Sequence, residues 1–288
     1  MLRYLSCKYG IQSFYIKYSA RSYIDCTDYL GGGILLDIVS TIIIVLLFII
    51  ILVGLYSYHK VTSAISSLRH RNGEDIDNLF RQTEALLGIY AELRLEHVLP
   101  KTRGWAASPD FLCELIRFAR SARPAATVEC GSGASTVVLA RCAQLNGIGH
   151  VFSLESDPHF ANKTRNMLLS QGLENFATVI DAPLVKTIYP EWSGVWYDIS
   201  SLPKGMAIDM LVVDGPPHTT CRLARYPVLP ALIDQCNDSC MIFLDDADRN
   251  DEAQIISSWM GRFENMEKID SYACEKGCVG LRLNQAVK

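Results

Sequence analysis

The sequence predicts an α/β protein with a doubly wound, mostly parallel seven-stranded sheet and an N-terminal transmembrane helix. Strand-like and helix-like segments alternate from residue 126 to residue 263, which is typical of parallel sheets with helices on both faces. An uncharged apolar run precedes them and has the length of a membrane span. We therefore divide the 288 residues into an N-terminal tail (1–33), a transmembrane helix (34–58), a membrane-proximal helical linker (59–100) and a globular domain (101–288).

The apolar run extends from Ile38 to Tyr58 and follows a polar, tyrosine-rich stretch, residues 1–30, which we expect to be poorly ordered. At about 1.5 Å per residue the run extends about 31 Å, which matches a hydrocarbon core of roughly 30 Å. Basic residues lie closer to its C-terminal end than to its N-terminal end, and this favours a cytoplasmic globular domain. The residues compared are Lys60, Arg69 and Arg71 after the run, and Arg21 and Lys17 before it.

The linker has apolar residues near a helical period from Val61 to His97, with an interruption at Asn72-Gly73. This pattern predicts a membrane-proximal helix that packs on its own domain. A homodimer through residues 60–97 is the alternative, because a dimerising coiled coil has a similar pattern, although the heptads here are few.

Composition argues against two classes of ligand. The net charge is −4, charged residues are 20% of the chain, and no basic stripe interleaved with aromatic residues is present, so we expect no nucleic-acid partner. The ten cysteines mostly fall in apolar patterns, which is typical of reduced thiols in a cytosolic compartment. Cys236 with Cys240, and Cys274 with Cys278, have a longer spacing than usual zinc pairs and no histidine companions, so we expect no zinc site.

The globular domain begins after Leu99-Pro100. Ser108, Pro109 and Asp110 have the residue types of a helix start. The candidate strands are Ala126–Cys130, His150–Glu155, Ala177–Ile180, Asp209–Asp214, Cys240–Asp245, Ile269–Ala273 and Cys278–Leu283. The candidate helices are Ser135–Leu145, Pro158–Gln171, Cys221–Asp234 and Asp251–Phe263. The last two strands are adjacent in sequence, which predicts an antiparallel hairpin at the sheet edge.

A glycine-rich turn joins the first strand to the following helix within TVECGSGASTVVL, from Thr127 to Leu139. Gly131 and Gly133 allow a tight turn and the close approach of a ligand. Because a helix begins at once, its free N–H groups and the positive end of its dipole lie beside the turn. The pattern predicts a site for a nucleoside or an anionic group. A dinucleotide fingerprint would have a third glycine where this chain has Thr136.

Acidic residues lie at the ends of five predicted strands. They are Glu129, Glu155, Asp181, Asp214, and Asp245 with Asp246. Ligands of open α/β sheets bind beyond the carboxyl ends of the strands, so we expect these residues to form one acidic rim. A single acid at such a position often caps a helix, but five strand ends together favour a binding site. Glu155 is placed to accept hydrogen bonds from ribose hydroxyls. The remaining carboxylates repel pyrophosphate and favour a cationic ligand.

The segments VECGSGAST, SLESDP, DAPL and DMLVVDGPP, in this order, resemble the class I S-adenosylmethionine-dependent methyltransferases. VVDGPP with FLDDADRNDE is similar to a subgroup found with bacterial polysaccharide and secondary-metabolite pathways. The resemblance covers about Trp105 to Leu283. It implies a Rossmann-like methyltransferase fold and S-adenosylmethionine, whose cationic sulfonium suits the acidic rim. It also implies the residues that bind this cofactor: Glu129, Gly131, Gly133 and Ser135 at the methionine end, Glu155 at the ribose, Asp181 with Ala182 at the adenine, and Asp214 nearby.

Asp214, Asp245 and Asp246 resemble the acids that hold magnesium in metal-dependent O-methyltransferases similar to catechol O-methyltransferase. Oxygen-only ligands suit Mg²⁺, which lowers the pKa of a bound hydroxyl. Members of that type carry a lysine base shortly after the first acid, whereas the residues after Asp214 are Gly-Pro-Pro-His. The alternative is that Asp245 and Asp246 cap the next helix or bind Arg249.

The catalytic candidates are Asp214 and His218. Histidine changes its charge near neutral pH and is therefore a suitable general base, although a lone histidine in a loop is commonly a solvated surface residue. Arg225 is placed either to bind an anionic substrate or to pair with the acids. An aromatic segment from Tyr189 to Tyr197 is either a lid over the acceptor or local packing on the sheet.

These features predict a membrane-anchored methyltransferase that methylates a hydroxyl of a small molecule or glycan precursor. Two alternatives stay open. One is a catalytically silent membrane scaffold that binds a partner through residues 60–100. The other is an NAD-dependent oxidoreductase, which the missing third glycine disfavours.

Overall fold

The computed structural model describes residues 11–102, 104–272 and 274–284, with side chains described from residue 34 onward except at positions 103 and 270–273. The chain has two compact units, residues 1–74 and 75–288. Helix α1, Ile11–Leu93, supplies every described residue of the first unit. Its apolar part has a mean hydropathy of 3.3 and is not buried by any other described residue, and it is long and apolar enough to cross a membrane.

Helix α1 differs from the sequence expectation in two places. Residues 11–30 are helical, so the prediction of a poorly ordered stretch is wrong for them, while residues 1–10 lie outside the described residues. The predicted interruption at Asn72-Gly73 is also wrong, because α1 continues through both residues. A single glycine costs a helix only about 1 kcal/mol, which a long helix tolerates.

A seven-stranded sheet lies at the centre of the second unit, in the strand order β3-β2-β1-β6-β7-β9-β8. Its strands are β1 Ala126–Cys130, β2 His150–Glu155, β3 Ala177–Asp181, β6 Ile208–Val213, β7 Cys236–Asp245, β8 Met266–Tyr272 and β9 Cys278–Leu283. The pairs from β3 to β7 are parallel, whereas β9 is antiparallel to both β7 and β8. The predicted doubly wound sheet with an antiparallel edge hairpin is confirmed.

Helices cover both faces of this sheet. They are α2 Pro109–Ala122, α3 Ala134–Asn146, α4 Pro158–Ser170, α5 Val228–Leu232 with the 3₁₀ turn Ile233–Gln235, and α6 Asn250–Arg262. One buried cluster includes Leu93, Leu112 and Val137, and a second includes Leu229 and Trp259. Burial on both faces explains why the central strands are almost continuously apolar. The helix start at Ser108 is confirmed, and Pro109 is the first residue of α2.

The end of α1 belongs to the second unit, which begins at Asp75 rather than at residue 101. Gln82, Ile89 and Leu93 are at most 3% exposed there. The sequence prediction that this helix packs on its own domain is therefore confirmed for residues 75–93. The dimer through residues 60–97 stays a prediction.

Two other segments bear on the sequence predictions: one differs from its predicted helix, and the other decides between two alternatives. The predicted helix Cys221–Asp234 is wrong in its first half, since helix begins only at Val228. The backbone N–H of Leu223 donates to Asp251, and the Arg225 side chain is buried, so tertiary contacts override local helix preference. The aromatic segment forms an antiparallel hairpin, β4 Leu184–Tyr189 and β5 Trp192–Tyr197. Trp192, Trp196 and Tyr197 are buried in the second core cluster, which agrees with local packing.

Candidate functional site

The glycine-rich turn connects β1 to α3 at the carboxyl edge of the sheet. Gly131 has φ 98°, a left-handed conformation that favours glycine, and its N–H donates to the Leu154 carbonyl over 2.9 Å. Gly133 precedes α3 directly, and apart from its chain neighbours no atom of the described residues lies within 4 Å of the place where its Cβ would be. The turn therefore leaves open space beside the N-terminus of α3.

Glu129 lies beneath this turn and is fully buried. Its Oε2 accepts hydrogen bonds from the hydroxyls of Thr136 (2.5 Å) and Ser153 (2.8 Å). Its Oε1 has no hydrogen-bond partner among the described residues. Burial raises the pKa of this carboxyl to about 7, although the neighbouring hydroxyls of Ser135, Thr136 and Ser153 oppose the rise. A buried carboxylate oxygen without a partner fits a cationic or N–H donor from a ligand.

Glu155 lies at the end of β2 and holds the turn from the other side. Its Oε2 accepts hydrogen bonds from the backbone N–H (3.1 Å) and the hydroxyl (2.9 Å) of Ser132. Its Oε1 accepts from the Asp157 N–H over 3.0 Å. Ionised carboxylate oxygens have further lone pairs, so ribose hydroxyls can still bind.

Asp181 and Ala182 follow at the end of β3, where Asp181 is the register partner of Glu155. Asp181 is exposed and pairs with Arg165 at 2.8 Å. The Ala182 N–H donates to the Glu155 carbonyl over 2.7 Å, so that donor already has a partner. The structure therefore brings both residues to the same edge as Glu155, with Arg165 as an ion-pair partner that sequence reasoning did not identify.

The carboxylate cluster, Asp214, Asp245 and Asp246, lies at the carboxyl ends of β6 and β7. One oxygen from each residue lies within 4.8 Å of the others. Asp245 is fully buried, and neither of its carboxylate oxygens has a hydrogen-bond partner among the described residues. Burial is the largest cause that raises the pKa of Asp245 to about 8, and the charges of Asp214 and Asp246 contribute to the same rise. Burial also raises the pKa of Asp214, to about 6, against the opposing effect of Arg225.

Arg225 is the main site residue whose role the sequence left open. Its guanidinium is 3% exposed and lies 2.7 Å from Asp246 Oδ2 and 3.3 Å from Asp214 Oδ1. It also donates to the Asp245 carbonyl and lies 3.7 Å from Glu252. Arg249 pairs with Asp246 at 2.8 Å, as one alternative predicted. Helix α6 is preceded by Arg249 and not by Asp245 or Asp246, so these two acids do not cap it.

His218 lies on the rim in the loop after β6, and its ring is exposed. It stacks on Trp105, with ring centroids 6.2 Å apart and an interplanar angle of 15°. Tyr197 was not predicted to be near the turn, yet its buried hydroxyl fills the space that a Cβ at Gly215 would occupy, beside the Cys130 carbonyl. Burial raises the pKa of Tyr197 well above its ordinary value, so its hydroxyl is neutral. An aromatic residue in a core hairpin carries no sequence signal for this position.

The chain is similar to known proteins in sequence and in fold. Residues 128–247 match a family model described as a methyltransferase domain. A methyltransferase from Podospora anserina, solved with bound SAH, aligns with a TM-score of 0.50 and 15% identity, over 70% of this chain and 88% of that chain. An O-methyltransferase from Bacillus cereus, solved in complex with SAH, aligns with a TM-score of 0.48 and 16% identity, over 70% of this chain and 90% of that chain. No curated protein sequence gave a significant match.

The family match covers the glycine-rich turn, Glu155 and the carboxylate cluster. The strand order of the seven-stranded sheet, with its antiparallel strand β9, places these residues at the same edge of the sheet. Residues 128–247 therefore match a methyltransferase domain, within a seven-stranded sheet of Rossmann-like methyltransferase fold.

Proposed function

We propose that this chain is a membrane-anchored O-methyltransferase that transfers the methyl group of S-adenosylmethionine to a hydroxyl of a small molecule or glycan precursor. The observation that carries the proposal is the pairing of an open glycine turn with buried and partly buried carboxylates at adjacent strand ends. Such a site attracts a cationic nucleoside and repels a phosphorylated one.

The cofactor would lie along the edge from β1 to β3. Gly131, Gly133 and Ser135 would surround its methionine end, with the free Oε1 of Glu129 beneath. Glu155 would accept from the ribose hydroxyls with its remaining lone pairs. Asp181 and Ala182 would lie at the adenine. Asp181 would either keep its ion pair with Arg165 or bind the adenine in its place.

The carboxylate cluster fits a hard divalent cation such as Mg²⁺. All its donors are oxygens, and the two unpartnered oxygens of Asp245 are free for such an ion. Asp214 and Asp246 would be the other ligands, with Arg225 holding one oxygen of each. A bound ion would lower the pKa of the acceptor hydroxyl.

His218 is the proposed general base. Asp214 is the acidic side chain that would lie next to the reacting atoms. The acceptor oxygen would lose its proton to a base and form a bond to the methyl carbon as the carbon–sulfur bond breaks. The role of the protein is to align these atoms and to position the base, and this alignment can supply much of the rate.

Membrane attachment would come from residues 34–58, with the second unit in the cytoplasm. The support is the apolar composition of this part of α1 and the basic residues that follow it. Labelling of introduced surface cysteines in intact cells and in inverted vesicles tests the orientation. Labelling of the second unit from outside intact cells would refute it.

Isothermal titration of the full chain in detergent micelles with S-adenosylmethionine and with NAD tests the cofactor. We expect heat from S-adenosylmethionine alone, and no binding at millimolar concentration would reject the methyltransferase proposal. With an acceptor that supports turnover, removal of divalent ions with EDTA tests the metal. Full activity in EDTA would reject the ion and leave methyl transfer intact.

A further inference from the structure

The exposed Trp105–His218 pair is a rim feature that the cofactor site does not use. Trp105 is 75% exposed, whereas the other tryptophans, Trp192, Trp196 and Trp259, are at most 7% exposed. Leaving a large indole in water is unfavourable, and its ring is parallel to His218 rather than turned into the core. Such a pair presents a flat apolar face next to the proposed general base.

The loop that carries Trp105 is fixed in place. The ammonium group of Lys276 donates to the carbonyls of Gly104 (3.0 Å) and Ala106 (3.1 Å), one on each side of Trp105. Gly104 has φ 71°, a left-handed conformation that favours glycine. Lys276 loses side-chain entropy when it makes these two hydrogen bonds, and together they hold the backbone on both sides of Trp105.

The turn that carries Lys276 is joined to the segment that follows the carboxylate cluster. The Asp248 N–H donates to the Lys276 carbonyl over 3.3 Å, and the Ala247 N–H donates to the Gly277 carbonyl over 3.2 Å. The preceding turn residue is also anchored, because the Glu275 N–H donates to Asp110 Oδ2 over 2.7 Å. The Trp105 loop is thus held at a defined position relative to the proposed reacting centre.

The described charges of the carboxylate cluster disfavour an anion. Asp214, Asp245 and Asp246 lie together, and Arg225 and Arg249 already pair with Asp246. Arg225 is buried against carboxylates, and Lys276 is bonded to two carbonyls. Arg249 pairs with Asp246, so each of these three described cations already has a partner.

We propose that Trp105 and His218 form one wall of the acceptor subsite, and that it takes an uncharged, hydroxyl-bearing ring which stacks on Trp105. Rings of this chemistry include phenols and sugars, since the apolar face of either can lie on an indole. This inference rests on the proposed methyltransferase function and adds the substrate class.

The test measures binding of three probes to the full chain in detergent micelles with SAH present. The probes are catechol, methyl α-D-glucopyranoside and glucose 1-phosphate. Saturation-transfer NMR measures the binding of each probe. We expect saturable binding of at least one neutral ring, about tenfold weaker binding to Trp105→Ala, and binding close to wild type for Trp105→Phe. Val98→Ala is the matched control, because Val98 is 85% exposed outside this pair, and it should behave as wild type.

Titration of SAH into the same samples separates the two proposals. If SAH fails to bind, the proposed function fails. If SAH binds but neither neutral ring does, or glucose 1-phosphate binds more tightly than the glucoside, or Trp105→Ala leaves ring affinity unchanged, the acceptor subsite is refuted. Which of catechol and the glucoside binds more tightly identifies the kind of ring.

Discussion

Glu129 provides a quantitative test of the site, because it combines complete burial with an oxygen that has no partner. Its pKa is raised from 4.5 to about 7. One pKa unit corresponds to about 1.4 kcal/mol, so ionised Glu129 lowers the stability of the fold by about 3 kcal/mol relative to its protonated form. The sign follows from the raised pKa: the stabilising contribution is complete below pH 4.5 and is lost as the pH rises through 7.

Glu129→Gln removes the charge and keeps an acceptor for Thr136 and Ser153. The difference in unfolding free energy between wild type and variant should therefore shift by about 3 kcal/mol between pH 4 and pH 8, in favour of the variant at high pH. Asp214 and Asp245 also titrate in this range, but they are present in both proteins, so their effect cancels to first order.

Urea denaturation of the full chain in micelles, followed by tryptophan emission, measures this difference. All four tryptophans lie in the second unit, so the signal reports the unit that contains Glu129. Parallel pH profiles for wild type and Glu129→Gln would refute the assignment of a raised pKa. A related measurement is the affinity for S-adenosylmethionine, which should rise with pH up to about 7 in wild type and much less in the variant, because the cation prefers ionised Glu129.

Three further predictions concern the rest of the site. Arg225→Met should lower the unfolding free energy by about 3–5 kcal/mol, because it leaves buried acids without their cation, and the loss should be larger at pH 8 than at pH 5; urea denaturation measures it. Glu155→Ala should weaken S-adenosylmethionine binding by about 1–3 kcal/mol in calorimetry, because ribose hydroxyls lose their acceptor. Asp245→Asn should reduce Mg²⁺ binding at least tenfold, measured by calorimetry without acceptor, because it replaces the carboxylate whose two oxygens are unpartnered.

Matched variants make these outcomes interpretable. Arg249→Met removes a partly exposed ion pair to the same cluster and should cost less than about 1 kcal/mol. Glu174→Ala removes an exposed glutamate near β3 and should leave cofactor affinity unchanged. Equal effects of Arg225→Met and Arg249→Met would contradict the role given to burial. Mg²⁺ affinity that survives in Asp245→Asn would exclude this residue as a ligand.

The strands that carry the candidate site could be predicted from the sequence, because strands depend on local patterns of residues. β1 and β2 were predicted with their observed bounds, since buried β-branched runs end at a glycine turn or a helix start. The acids at the strand ends come together because parallel strands place their carboxyl ends at one edge. That rule needs only the order of the strands and not their contacts.

The features of the site that the sequence did not predict depend on contacts between residues that are distant in sequence. Arg225 was placed in a helix from its neighbours, whereas the structure buries its guanidinium against Asp214 and Asp246 and leaves the chain irregular up to Val228. The position of Lys276 beside the Trp105 loop also had no local signal, because the two are about 170 residues apart. Pairings of this kind follow from tertiary packing and not from periodicity.

The burial of the end of α1 has a practical consequence for producing a soluble catalytic fragment. A protein that begins at Lys101, where the sequence suggests the domain starts, would lose Ile89 and Leu93, and the apolar side chains around Leu112 would face water. It would also lose Gln82, whose amide donates to Asp110 over 2.6 Å. Removal of the membrane span should therefore stop before Asp75, so that the last turns of α1 stay with the fragment as part of its core.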